Sequence, residues 1–183
     1  MGGDPDEALV RRIATGDPAA MRALMASHLP RITALAVRML GSVAEADDVA
    51  QETFLKIWKS AASWRSGSAR FSTWVHRVAL NLCYDQLRRR QDVSMADPPE
   101  QADGGPAPDA GLMDEESAGH RVDRAMQALA PRQREAIVLV YYQNLSNIEA
   151  AEIMEISVDA LESLLARGRR ALQAILTKDK TDG

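Results

Sequence analysis

The chain has 183 residues, 46% hydrophobic and 26% charged, with a formal net charge of -4; this is an ordinary soluble composition, long enough for one domain or two small ones. No apolar run approaches the roughly 18 residues that a membrane helix requires, and the opening MGGDPDEALV lacks a basic-then-apolar signal pattern, so no membrane insertion and a cytoplasmic location are expected. The single Cys83 excludes an intramolecular disulfide, and His28, His76 and His120 are too scattered to hold a metal, so neither metal nor cofactor is expected.

The net charge conceals a segregation. Residues 62–90 carry six basic side chains and one acidic, whereas 91–117 carry eight acidic and no basic ones. In chain order, the residues through Pro5 read as frayed. Leu9, Val10 and Ile13 mark a short helix ended by Gly16, and Asp17-Pro18 restarts a helix with Pro at its first position and Met21, Leu24 and Met25 inward. Pro30 is expected to begin or bend a further run, which carries Ile32, Leu35, Ala36 and Met39 until Gly41 stops it.

Ser42 and Glu45 have capping-box spacing. The helix they open is expected to bury Val49, Ala50, Phe54, Ile57 and Trp58, while Asp47, Asp48, Gln51 and Glu52 gather near its N-terminal half. Acids in a first turn compensate the helix dipole. Gln51 and Glu52 lie beyond that turn, which makes the group a candidate docking face. The loop Ser60–Ser72 holds Trp64, Arg65 and Arg70; an aromatic among cations suits the stacking and cradling of single-stranded bases. The competing reading has Trp64 capping the core.

Phe71–Arg90 reads as one helix with two faces and Ser72 as its N-cap. Trp74, Val75, Val78 and Leu82 fall on one side; Arg77, Asn81, Tyr84 and Arg88 recur at i, i+4, i+7 and i+11 on another. Arg88, Arg89 and Arg90 close the helix where cations suit its dipole. Residues 91–117, with four prolines, three glycines and no cation, cannot bury enough apolar surface to fold alone and form the expected linker between two domains. Beyond it, Val122, Ala125, Met126 and Leu129 mark one helix, Pro131 starts another, and Ser146 with Glu149 forms a second capping box. After a turn at Ile156, Ser157 caps a long helix with Leu161, Leu164, Leu165 and Leu172 inward; Ala150 and Ala151 suit the close crossing of a helix-turn-helix.

Three of these stretches, in this order, resemble the bacterial RNA polymerase sigma factors of the extracytoplasmic-function (ECF) group over roughly Met21–Gln173. AEADDVAQETFLKIWKS is similar to the helix that grips core polymerase, FSTWVHRVALNLCYDQLRRR to the promoter-melting helix, including Trp74, Asn81, Asp85, Arg88 and Arg89, and LSNIEAAEIMEISVDALESLLARGRRAL to the promoter-distal helix-turn-helix. The resemblance implies an all-α fold of two small domains, a sigma2-like helical bundle over 1–90 and a sigma4-like helix-turn-helix domain over 118–183, joined by the flexible acidic linker 91–117. It implies that Asp47, Asp48, Gln51 and Glu52 dock core RNA polymerase, and that Trp64, Arg65, Arg70, Arg77, Asn81, Tyr84, Arg88 and Arg89 bind the minus-ten element. For the minus-35 element it implies Ser157, Asp159, Ala160, Glu162, Ser163, Arg167 and Arg170. Here the chain departs from the pattern, because similar factors often carry Lys or Arg where Glu162, Leu164 and Ala166 stand.

Core polymerase, promoter DNA and an anti-sigma factor are the implied partners, and the linker would thread polymerase channels or serve as a solvated tether. The implied function is stress-responsive alternative-sigma initiation, and the alternative is a sigma mimic that binds an anti-sigma factor without initiating transcription. A stand-alone repressor does not account for the Trp64–Arg90 block. No nucleophile with its base, paired carboxylates or phosphate loop appears in the sequence, so an enzyme is not expected.

Overall fold

The helix boundaries follow from local chemistry at each end. The computed structural model describes residues 4–64, 70–96 and 118–181, and no strand occurs among them. The elements are α1 (Glu7–Ala14), α2 (Pro18–Leu40), α3 (Val43–Ser60), α4 (Phe71–Ala96), α5 (Ala118–Gln127), α6 (Pro131–Ile137), α7 (Asn147–Met154) and α8 (Val158–Thr181). A π-helical turn, Val138–Tyr142, continues α6 directly. The all-α expectation holds.

Asp17 caps α2 by accepting from the amides of Ala19 (2.8 Å) and Ala20 (3.2 Å), with Pro18 at a position that needs no N–H. Gly41 ends the helix at φ 69°, a left-handed conformation that favours glycine, and its amide returns to the Val37 carbonyl at 2.7 Å. Between these caps α2 is continuous, whereas a boundary or bend was expected at Pro30. Pro30 and Ala26, the residue whose carbonyl loses its partner, are both exposed, so water can replace the missing bond. The buried stripe Leu24, His28, Ile32, Leu35 and Met39 runs past the proline on the opposite side and holds both halves in one line.

The segment through Pro5 is not frayed where it is described. The Asp4 carboxylate accepts from the Asp6 amide at 3.0 Å and also from the Phe71 amide, so it caps α4 in place of Ser72. Asp6 in turn meets His28 Nε2 at 2.8 Å. Phe71 is fully buried, with ring contacts to His28 (6.0 Å), Trp64 (5.5 Å) and Trp74 (5.5 Å). At its other end α4 continues past Arg90 to Ala96, into the stretch read as linker, and residues 97–117 lie outside the described residues.

The helices form two groups. In the first, α1–α4 pack on one another around residues such as Leu24, Leu35, Phe54, Ile57, Phe71 and Val75. In the second, α5–α8 pack around Met126, Leu139, Ile153, Leu161 and Leu165. Gly168 of α8 lies so close to α6 that a Cβ there would stand 2.8 Å from Ile137 Cδ1. The groups also touch, α4 against α7 and α2 against α5 and the π-helical turn, so that their buried residues form one contiguous core.

Replacing Phe71 by Ala is expected to destabilise the chain by about 3–5 kcal/mol in urea unfolding, and Asp17→Ala by about 1 kcal/mol. A Phe71→Ala loss below that of the cap variant would show that the ring is not the anchor described here.

Candidate polymerase and nucleic-acid interface

The α3 face is built by the helical period. Ala46, Val49, Ala50, Thr53, Phe54 and Ile57 are buried, which turns Asp47, Asp48, Gln51 and Glu52 outward. All four expected docking residues are exposed together. Beside them stand Leu55 and Trp58, which share a face with Gln51 at i, i+4 and i+7. Trp58 was expected in the core and is instead 41% exposed, because Ile57 already fills the inward position at that turn. These apolar neighbours were missed, although Leu55 falls off the inward stripe and could have been read from its spacing.

At the start of α3, Ser42 Oγ accepts from the Glu45 amide at 3.3 Å, but the Glu45 carboxylate pairs with Arg90 instead of the Ser42 backbone amide, so the capping box is not completed. Arg90 also donates to the Leu40 carbonyl at 3.0 Å, so this cation ties α4 to the α2–α3 corner instead of closing its own helix. The Arg90 guanidinium holds the Glu45 carboxyl below the usual carboxylate range.

On α4 the expected ladder divides. Asn81, Arg88 and Arg89 are exposed, with Arg88 paired to Asp85. Arg77 and Tyr84 face the second group. Arg77 Nη2 donates to the Glu152 carbonyl at 2.5 Å and Nη1 lies 3.5 Å from Glu155. The Tyr84 hydroxyl donates to Glu135 Oε2 at 2.6 Å. Glu135 is buried, also accepts from Arg132 at 2.8 Å, and burial lifts its carboxyl above the usual range. Burial and then the neighbouring Glu135 charge push the Tyr84 hydroxyl up in turn, so it keeps its proton as the donor. A cavity of about 310 Å³ is lined by Trp74, Arg77, Asn81 and Tyr84 of α4 and by Arg132 and Glu135 of α6.

Of the loop residues, Arg70 is exposed and lies 3.5 Å from Glu149 of α7, and Arg65 lies outside the described residues. Trp64 is half-buried edge-on against Phe71, the packing that the core-capping reading anticipates. Cys83, on the buried side of α4, is pushed up to about 12, chiefly by burial. Among the described residues, no group of three or more His, Cys, Asp or Glu could hold a metal ion, and no helix is long and apolar enough to cross a membrane.

In the second group the capping box is complete, with the Ser146 amide donating to Glu149 Oε2 (3.0 Å) and the Glu149 amide to Ser146 Oγ (3.2 Å). Glu155 ends α7 at φ 55°, and Ser157 Oγ accepts from the Ala160 amide at 3.1 Å to start α8. With Leu161 and Leu165 buried, Ser157, Asp159, Glu162, Ser163, Arg167 and Arg170 are exposed and Ala160 is half-buried. Glu162 accepts from Asn147 Nδ2 at 3.3 Å, which spends part of its acceptor capacity within the domain. Two helices joined by a tight turn, with an exposed second helix, meet the geometry of a helix-turn-helix DNA reader.

Comparison with known proteins agrees with this class. Residues 24–93 match the family described as Sigma-70 region 2, and residues 119–172 match Sigma-70, region 4. Among curated relatives, the ECF RNA polymerase sigma factor SigE of Mycolicibacterium smegmatis is 33% identical over 92% of this chain and 67% of its own length. SigW of Bacillus subtilis is 32% identical over 90% of this chain and 92% of its own. Among solved structures, CnrH in complex with the cytosolic domain of CnrY is similar at TM-score 0.70 and 27% identity, covering 95% of this chain and 98% of that one. The sigma factor RpoE in complex with the anti-sigma factor NepR from Bartonella quintana is similar at TM-score 0.66 and 26% identity, covering 85% and 96%. The fold and the matched regions define a two-region sigma-70-type transcription factor. Within that class, the chain belongs to the ECF RNA polymerase sigma factors.

The Glu45–Arg90 pair sets a pH dependence. A carboxylate whose native pKa is lowered contributes stability above its unfolded value, 4.5, and loses it as pH falls through the native value. The denaturation midpoints of wild type and Arg90→Gln should therefore differ at pH 6–7 and converge as pH falls below about 4. A gap that is constant with pH would show that Arg90 acts through packing alone.

Proposed function

We propose that this chain is an alternative-sigma initiation factor that brings core RNA polymerase to specific promoters and melts the minus-ten element. The observation that carries the reading is that the exposed α3 face and the exposed Asn81, Arg88 and Arg89 of α4 lie together within the region-2 match. Asp47, Asp48, Gln51 and Glu52 dock the polymerase, and the apolar Leu55 and Trp58 add area to the same contact. Arg77, Asn81, Tyr84, Arg88 and Arg89 hold the non-template strand, with Trp64, Arg65 and Arg70 around a flipped base. Opening duplex DNA costs about 1.4 kcal/mol per base-pair step, and stacking a freed base on an aromatic returns roughly 1–3 kcal/mol, so capture of a few bases offsets local melting without ATP. Nucleotidyl transfer is then the work of the polymerase, and the cytoplasm is the site of action.

Ser157, Asp159, Ala160, Glu162, Ser163, Arg167 and Arg170 meet the minus-35 element, with the arginines supplying phosphate contacts. Glu162 suits a cytosine amino group better than a guanine edge. An anti-sigma factor holds the chain in check, a reading supported by the two similar structures, which are complexes of CnrH with CnrY and of RpoE with NepR. Residues 1–90 and 118–183 serve as the two functional domains, with 91–117 as the acidic connection between them.

Permanganate footprinting of unpaired thymines on genomic promoter DNA, with purified chain and bacterial core polymerase, tests the assignment. Melting near the start site should require this chain and fall by at least tenfold in Asn81→Ala and Arg88→Ala, equivalent to about 1.4 kcal/mol. Stable binding to core polymerase or an anti-sigma protein without melting on any promoter would favour the sigma mimic instead.

A further inference from the structure

The α3 docking face is open in this structure, but part of the α4 face is not. Closure takes Arg77 and Tyr84, the first and third members, out of the strand-binding row and leaves Asn81, Arg88 and Arg89 exposed. The fastening lies at the C-terminal end of α2, whose last carbonyls have no partner within the helix. Arg134 of α6, only 5% exposed, donates to the Met39 carbonyl, and within its own group to the Gln127 carbonyl (2.6 Å), to Gln127 Oε1 (2.8 Å) and to the Leu129 carbonyl (3.2 Å). Gln127 Nε2 donates to the Arg38 carbonyl at 2.8 Å, beside Gly41, where a Cβ would stand 2.8 Å from the Gln127 side chain. The Arg38 guanidinium pairs with Asp123 and lies 4.1 Å over the Tyr142 ring. Further along α2, Arg31 and Gln143 exchange two bonds, of 2.8 and 3.1 Å.

From this arrangement we propose that Arg134 and Gln127 form a latch on the C-terminal end of α2, holding the second helical group closed over the α4 face in the free chain. Polymerase docking through α3 can precede latch opening, whereas DNA capture along the whole α4 row follows it. This order of events rests on the sigma-factor reading above. Three of the four acceptors of this buried guanidinium lie in its own group and hold it aimed at the Met39 carbonyl, so the bond that crosses to α2 forms with little further ordering and is lost together with the Gln127–Arg38 bond when the groups part. The latch is therefore two-state in character, closed or fully released.

The full-length chain tests this with a FRET pair on cysteines introduced at the exposed Arg22 of α2 and Gln173 of α8, the native Cys83 being buried. Arg134→Met removes the latch at its centre, and the double variant Asp123→Ala/Gln127→Ala removes it at its rim, with circular dichroism confirming that the helices remain. Wild type should give a high-transfer population, and each variant should raise the open fraction roughly 5- to 30-fold. Anisotropy of a fluorescein-labelled mixed-sequence single-stranded 20-mer should show uptake that strengthens in step with that fraction and weakens with salt. A wild-type chain already at low transfer, folded variants with unchanged transfer, or opened variants that bind the 20-mer no better would each overturn the latch. Neither arm uses polymerase or a promoter. A failure of the permanganate experiment would thus remove the sigma-factor reading and leave the transfer result standing.

Discussion

The burial of Phe71 is the constraint on which the two surfaces depend. Its ring is enclosed by His28, Trp64 and Trp74, and its amide is held by the Asp4 carboxylate. The first residue of α4 is thereby fixed to α2, to the preceding loop and to the N-terminal segment at once. A helix rises about 1.5 Å and turns 100° per residue, so fixing its start also fixes where Arg77, Asn81, Tyr84 and Arg88 point. Arg90 fixes the helix a second time, at the corner where α2 ends and α3 begins. The acidic face of α3 and the row on α4 are consequently parts of one rigid frame, not independently adjustable patches.

Much of this frame was legible because periodicity reports burial directly. The inward stripe of α3 through Ile57, the capping box at Ser146 and Glu149, and the turn from Glu155 to Ser157 are encoded within a few residues of one another, and local chemistry decides them. Spacing reports which residues are covered but not what covers them. Arg77 and Tyr84 read as solvent-facing members of a ladder, yet their partners Glu135, Glu152 and Glu155 lie across the linker in sequence. Glu45 has two suitable partners, a nearby backbone amide and a distant guanidinium, and the guanidinium takes it by bringing a full opposite charge and two parallel donors to both carboxylate oxygens. Pro30 is a local stop signal overruled by burial along the far side of α2.

Arg134 and Glu135 show the same limit most clearly. In sequence they sit in PRQREAI at the start of a helix, where charged residues normally face water. Both are buried, and each has a partner that only the folded chain brings near, the Tyr84 hydroxyl for Glu135 and the Met39 carbonyl for Arg134. Pairs of this kind add little net stability over apolar packing but penalise every arrangement that leaves one member unpaired. They act here as selectors of one docking geometry between the two helical groups. The α8 face proposed for the minus-35 element shows the opposite case: Ser157, Asp159, Glu162, Ser163, Arg167 and Arg170 are placed outward by spacing alone, because Leu161 and Leu165 fix which side is buried.

Cys83 carries a consequence for what the chain can sense. It is the sole thiol in the sequence, it is shielded from solvent, and burial pushes its pKa up to about 12, which keeps the thiol protonated at neutral pH. Peroxide and disulfide reagents attack the thiolate, so the folded chain offers them no reactive thiol. A thiol-based oxidative signal that reaches the promoter through this chain must therefore be written first on another molecule and be delivered as a change in binding.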